Sequence, residues 1–395
     1  MNRANVICTT AMTAAAIATG LAAPAQAALH APASYKLTIL PDPLGGTYAQ
    51  GSSINSRRQL GGFETLSGNT TMHAMAWQKG ELPQDLGTLG GPNSAIAWPN
   101  RNDHGQFAGI AETAAQNPLG ESWSCAAAVF YIAPPTGNVC LGFRYQNGAM
   151  TALPTLGGYD GFATGINNRG QIVGWAENAT RDSTCNAPQV LQFEAVIWGP
   201  EVNEFEQLPP HGTDPDGAAT AINNKGQIVG ISGLCGNAVG GASAEHMLLW
   251  QRNTVTSLPT LGGQYWNTPM DINDNADVTG FSDHPGDSVS SPNNTAFLWT
   301  SSTGLTQDLG TLANDGTSQG LGINDSDQVV GVSYPSSRAF LWQNGTMTDL
   351  NSLIPPNSPY TLIDAQDIDN AGVITGEAQD VSNGAIYAFI ATPKK

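Results

Sequence analysis

The chain has 395 residues, 46 of them Gly and 25 Pro, and a charged fraction of only 12%. That balance is poor in helix formers and rich in turn formers; with no long helical period, it excludes a helical bundle and points to an all-β fold. A formal net charge of −18 argues against nucleic acid and anionic membrane as partners and favours cationic ones such as Ca²⁺.

The first 27 residues read as a secretory signal peptide. Met1-Asn2-Arg3 precedes an uncharged Ala/Thr-rich stretch that ends at Ala25-Gln26-Ala27, a small-x-small cleavage pattern. The expected product is an exported monomer, periplasmic or extracellular, with no membrane insertion after cleavage. Four cysteines follow the leader, Cys125, Cys140, Cys185 and Cys235, and no two have CxxC spacing. In an oxidising compartment they predict two disulfides rather than a metal centre. Pairing of sequence neighbours, Cys125 with Cys140 and Cys185 with Cys235, is favoured, although sequence leaves all three pairings open.

One figure then recurs along the chain: INSRRQLGG from Ile54, RNDHGQFAG from Arg101, INNRGQIVG from Ile166, INNKGQIVG from Ile222, INDNADVTG from Ile272, INDSDQVVG from Ile323 and IDNAGVITG from Ile368. Each reads as two short strands, a and b, joined by a tight turn in which Asn, Asp and Gly supply the backbone conformations. The hairpin glycines run from Gly62 to Gly376, about 52 residues per unit. A third strand, c, carries an aromatic end, as in AMAW from Ala74, GFRY from Gly142, AVIW from Ala195 and AFLW from Ala339. A fourth, d, runs into a Gly-rich corner, as in DLGTLGG from Asp85 and ALPTLGG from Ala152.

The ends of the chain complete the pattern. YKLTILPDPLGG from Tyr35 reads as a d strand, and AFIAT from Ala388 is a c strand with no d after it. The expectation is one domain, residues 28–395, folded as a seven-bladed β-propeller of four-stranded blades. Strand 35–40 completes the last blade, so that no sheet edge is left open there.

DLGTLGG, INNxGQxVG and AFLW, in that order and phase, resemble the HAF repeats of probable extracellular bacterial proteins. The resemblance covers nearly all of the chain after the leader. It implies export and a repeat fold, and it brings no catalytic residues with it.

Function is less legible. The longest insertions between strands b and c fall at 110–141, 175–194, 231–246 and 281–295, and loops on one face of a repeat scaffold commonly form its binding surface. Trp77, Trp198, Trp250, Trp299 and Trp342 recur at one position of strand c and read as packing between sheets. Trp123, Trp175 and Trp266 break the repeat rule and are the candidate ligand contacts. Asp274 with Asp277, Asp325 with Asp327, and Asp367 with Asp369 offer the oxygens that calcium takes, but all sit where a turn wants Asn or Asp and none has EF-hand spacing. No HExxH, GxSxG or P-loop motif is present. The sequence therefore points to a non-catalytic protein that binds carbohydrate or protein through its b–c loops. The alternatives are a polysaccharide hydrolase or lyase, and a structural component of a cell surface or biofilm.

Overall fold

The computed structural model describes residues 34–394 except 123–124, 126–128, 131–132, 202, 237–243, 253 and 289. The leader, residues 1–27, and Trp123 lie outside the described residues. The compact unit Ala33–Lys395 is all-β apart from short turns such as the 3₁₀ segment Leu350–Leu353.

Unit three shows the plan. Gly157–Ile166, Ile172–Arg181, Leu191–Trp198 and Phe205–Gln207 pair antiparallel in sequence order. Units two, four, five and six form four-stranded sheets of the same order, and the remaining strands form one eight-stranded sheet. That larger sheet divides into two antiparallel quartets joined by a single parallel bridge, Tyr48 to Ile386. One quartet is unit one. The other, unit seven, contains Tyr360–Ile368, Ile374–Asp380, Ile386–Pro393 and the N-terminal strand Tyr35–Ile39, with Tyr35 opposite Pro393 and Ile39 opposite Phe389. The expected pairing of the 35–40 segment with the C-terminal strands is present.

The hairpin glycines have a steric cause. A Cβ on Gly174 would lie 1.9 Å from the Phe162 carbonyl oxygen, and one on Gly331 would lie 1.9 Å from that of Gln319. No side chain fits, because strand b passes directly against the backbone of strand a. The turns are built by Asn side chains. Asn223 accepts from the Lys225 and Gln227 N–H groups, and its Nδ2 donates to the Asn273 carbonyl oxygen of the next unit (2.9 Å). Asn55, Asn102, Asn167, Asn273 and Asn324 make the same inter-unit bond. The series stops at Asp369, whose carboxylate has no N–H to give; there the Ile54 N–H bonds the Asp367 carboxylate of unit seven instead (2.8 Å).

The recurrent Trp residues are buried, and Trp77, Trp198 and Trp250 link units. Trp198 Nε1 donates to Pro154 O (2.9 Å) and Trp250 Nε1 to Pro209 O (2.7 Å), in each case the corner of the preceding unit. Trp77 of unit one donates to Pro41 O (3.1 Å), just after the N-terminal strand. Pro41 thus holds the place that Pro154 and Pro209 hold elsewhere, which puts unit seven directly before unit one.

The b–c loops are shorter than the spacing suggested. Antiparallel pairing continues past the hairpin Gly, as far as Arg181 opposite Leu191 in unit three and Gln116 opposite Asn138 in unit two. The stretches between strands b and c are therefore 117–137, 182–190, 234–245 and 283–294. Cys125, Cys185 and Cys235 lie among them and Cys140 in the adjoining strand: Cys125–Cys140 is within unit two, and Cys185–Cys235 between units three and four, with Cα separations of 5.9 and 4.6 Å. In unit two strand c is Asn138–Gln146, and Tyr145 takes the position of the recurrent Trp.

Candidate functional site

The first strands of units one, five, six and seven wall a cavity of about 200 Å³ with Gln50, Met270, Gln319, Asp364 and Gln366. Tyr334, the last residue of strand b in unit six, and Val129 of the 117–137 loop also line it. The cavity therefore lies at the b–c loop end of the strands, and the Cys125–Cys140 bridge brackets the loop that supplies Val129.

Trp98 completes the wall and was not among the Trp residues that sequence singled out. Its position follows from a local lengthening of unit two. Elsewhere three positions separate the residue opposite the hairpin glycine from the turn isoleucine, as from Ala163 to Ile166, Ala219 to Ile222 and Gly320 to Ile323. In unit two Ala95 faces Ile110, so Ile96 stands opposite Gly109 and Arg101 comes five positions later. The two extra residues place Trp98 beyond the regular strand, edge-on to Phe162 at 5.3 Å. Its Nε1–H is buried with no acceptor among the described residues.

One acid faces this cavity. Burial pushes Asp364 up to about 6, while Gln366 Nε2 (2.7 Å) and the Glu377 N–H (3.1 Å) hydrogen-bond its two oxygens. Glu377, behind it, is raised well above its ordinary value by burial and by the Asp364 charge, and it accepts from the Tyr48 hydroxyl (2.5 Å). Burial and mutual repulsion thus favour the neutral form in both acids. Amide groups, aromatic and aliphatic surface and one acid suit a polar, largely uncharged ligand.

The opposite end of the first strands is different. Arg101, in the position that other units give to Ile, forks onto Asp271 and reaches the Ile323 carbonyl oxygen. Asp103, Asp274, Asp325 and Asp369 surround a smaller cavity there, of about 60 Å³. These carboxylates hold turns together: Asp274 accepts from both N–H groups of Asn224, and Asp325 accepts from the Asp274 N–H and from Asn370.

Of the Trp residues expected at a ligand site, Trp175 is 4% exposed, in the second strand of unit three, with its ring 4.6 Å from that of Phe162. Its ring belongs to the core. Strand b runs on to Arg181, which puts position 175 inside the sheet instead of in a loop. Trp266 is half-buried in the corner before Thr268–Ile272, and its carbonyl accepts from the Asp283 N–H (3.1 Å). Neither lines the cavity. Elsewhere the fold gathers histidines that looked scattered in sequence: His246 Nδ1 lies 2.9 Å from the Asp214 carboxylate, and the His211 and His246 rings are 4.0 Å apart.

No protein-family model matches the chain, and no curated protein matches it. Solved structures do. Virginiamycin B lyase from Staphylococcus aureus, as an inactive variant with quinupristin, is 10% identical at a TM-score of 0.50, over 91% of this chain and 100% of that one. The β-propeller domain of the Trilobed protease from Pyrococcus furiosus is 9% identical at a TM-score of 0.47, over 88% and 94%. An acylaminoacyl peptidase from Pyrococcus horikoshii gives 0.44 at 9% identity over 85% of this chain, which spans half of the length of that enzyme. At such identities the likeness concerns fold alone: this chain has a propeller-like all-β architecture.

Proposed function

We propose that the chain is an exported, HAF-like β-propeller of seven blades, closed by strand 35–40, that binds carbohydrate or polypeptide at the loop-face mouth of its central channel. The observation that carries the reading is the cavity of about 200 Å³ that Trp98 lines together with Gln50, Gln319 and Gln366. Aromatic faces bounded by amides hold sugars and extended peptides by stacking and hydrogen bonding, and neither needs a charged partner. The two disulfides fit an oxidising address, and among the described residues no helix is long and apolar enough to cross a membrane.

A second reading rests on Asp364. A carboxyl raised to about 6 suits a general acid or base, which would make the mouth a polysaccharide hydrolase or lyase site. The first is preferred because glycosidic cleavage commonly needs two carboxyls on opposite sides of the bond, and Glu377 sits directly behind Asp364. A glycan and peptide array, read beside a hydrolase and lyase screen on the full chain, separates them. Binding without turnover supports the first reading, turnover lost in Asp364→Asn supports the second, and silence in both assays contradicts both.

A further inference from the structure

Away from the cavity, three carboxylates converge inside the loop end of units two and three. Glu121 comes from the 117–137 loop, Asp160 from the first strand of unit three and Glu177 from its second. Their nearest oxygens all lie within 4.8 Å of one another, and the residues are 0%, 1% and 1% exposed. Among the described residues no Arg, Lys or His pairs with any of them.

The groups around them are built for ionised carboxylates. Asp160 accepts from the Cys140 N–H (2.9 Å) and Asn117 Nδ2 (2.9 Å). Glu177 accepts from the Tyr159 and Asp160 N–H groups on one oxygen and from Gln189 Nε2 (2.7 Å) on the other. Glu121 Oε1 accepts from the Val190 and Leu191 N–H groups (2.9 and 2.6 Å). All of these are N–H donors, and none of these bonds has a carboxyl O–H donating to another carboxylate. Two acceptors are left over: Glu121 Oε2 and the amide oxygen of Gln189 are buried with no hydrogen-bond partner. Gln189 is 4% exposed, and its amide nitrogen already contacts both Glu177 and Glu121.

We propose that Glu121, Asp160 and Glu177, with the amide oxygen of Gln189, form a calcium site that ties the loops of units two and three together. A cation is the partner that satisfies three buried negative groups and two idle acceptors at once, since burying like charges unpaired is costly. The donors are all hard oxygens, which selects against zinc and copper. Magnesium holds on to its waters and demands octahedral geometry, whereas calcium accepts irregular, largely dehydrated cages. The N–H donors then act as an outer shell that orients the ligands. Because Cys140 supplies one of them, the ion and the Cys125–Cys140 bridge brace the same loop. The site does not depend on what the cavity binds.

The test uses the full chain with both disulfides intact, stripped with EDTA and titrated with CaCl₂ by calorimetry, with MgCl₂ in parallel. One calcium per chain and a Tm that rises with calcium are expected, with magnesium weaker. Glu121→Gln, which keeps the acceptor for Val190 and Leu191, and Asp160→Asn should each weaken calcium by about tenfold or more. Asp274→Asn, among the turns, should leave it unchanged. Should Asp160→Asn fail to fold, Glu121→Gln with a wild-type circular dichroism spectrum decides alone. Absence of calcium-dependent heat and Tm shift in the wild type, or wild-type calcium affinity in Glu121→Gln, overturns the proposal.

Discussion

Arg101 and Asp271, 170 residues apart in sequence, form a two-point ion pair in the interior of the molecule, with Arg101 Nε 3.2 Å from one carboxylate oxygen and a terminal nitrogen on the other. Asp367 stands 4.0 Å away, and its other oxygen holds the Ile54 N–H. One guanidinium thus joins units two, five and seven and is the cation facing two buried acids. Removing it leaves those acids uncompensated, so Arg101→Met should cost about 3–5 kcal/mol in urea unfolding. Arg101→Lys should recover part of that, since it restores the charge without the fork. A loss below about 1 kcal/mol for Arg101→Met would show that the pair is not a structural hub.

Closure by the N-terminal strand is checked with lysines already in place. Lys36 faces Thr392, and the Lys394 N–H bonds the Ser34 carbonyl oxygen (2.7 Å). A short amine-reactive cross-linker on the monomeric fraction should join Lys36 to Lys394 within one chain. A monomer in which Lys36 is modified yet never linked to Lys394 argues for an open arrangement.

Stability should fall as pH rises. Burial, ahead of all other causes, raises Glu64 and Asp216 to about 9 and Glu194 and Asp283 to about 7, and each has one carboxyl oxygen buried without a partner. The folded chain keeps these protons, while the unfolded chain loses them near pH 4. The unfolded state therefore binds fewer protons through this range, so stability present below about pH 4 is lost as pH climbs through 7 and 9. Asp182, Asp315 and Asp380 are shifted the other way, and their contribution changes only at more acidic pH. Scanning calorimetry in EDTA should give a Tm several degrees higher at pH 5 than at pH 9, and an equal or lower Tm at pH 5 would contradict this assignment.

What sequence disclosed was whatever repeats. The Asn turns, the hairpin glycines and the aromatic end of strand c each satisfy a steric or hydrogen-bonding need that recurs in most units, so the need is printed several times. The place of Tyr35–Ile39 was legible for the same reason, as a d strand missing from one end and present at the other. The candidate site was not, because it is made of departures. Trp98 reaches the cavity through a two-residue lengthening that looks like a loose copy of the motif, and Arg101 replaces an Ile that only its partners Asp271 and Asp367 explain. The spacing of those three residues says nothing until the first strands are brought together. Glu121, Asp160 and Glu177 belong to three different segments, so no local pattern marks them. Trp175 was misjudged from the same source: strand length beyond the hairpin glycine is set by pairing with Leu191–Trp198, which the motif does not encode.

Binding at the cavity lined by Trp98 and Gln366 is the central claim. Titration calorimetry of the strongest array ligand against the wild type, Trp98→Ala and Gln366→Ala, with Asp274→Ala at the opposite end as control, tests it most directly. The account predicts that both mouth variants lose affinity by about tenfold or more, with circular dichroism unchanged and the control binding as the wild type does. Wild-type affinity in both mouth variants would contradict it.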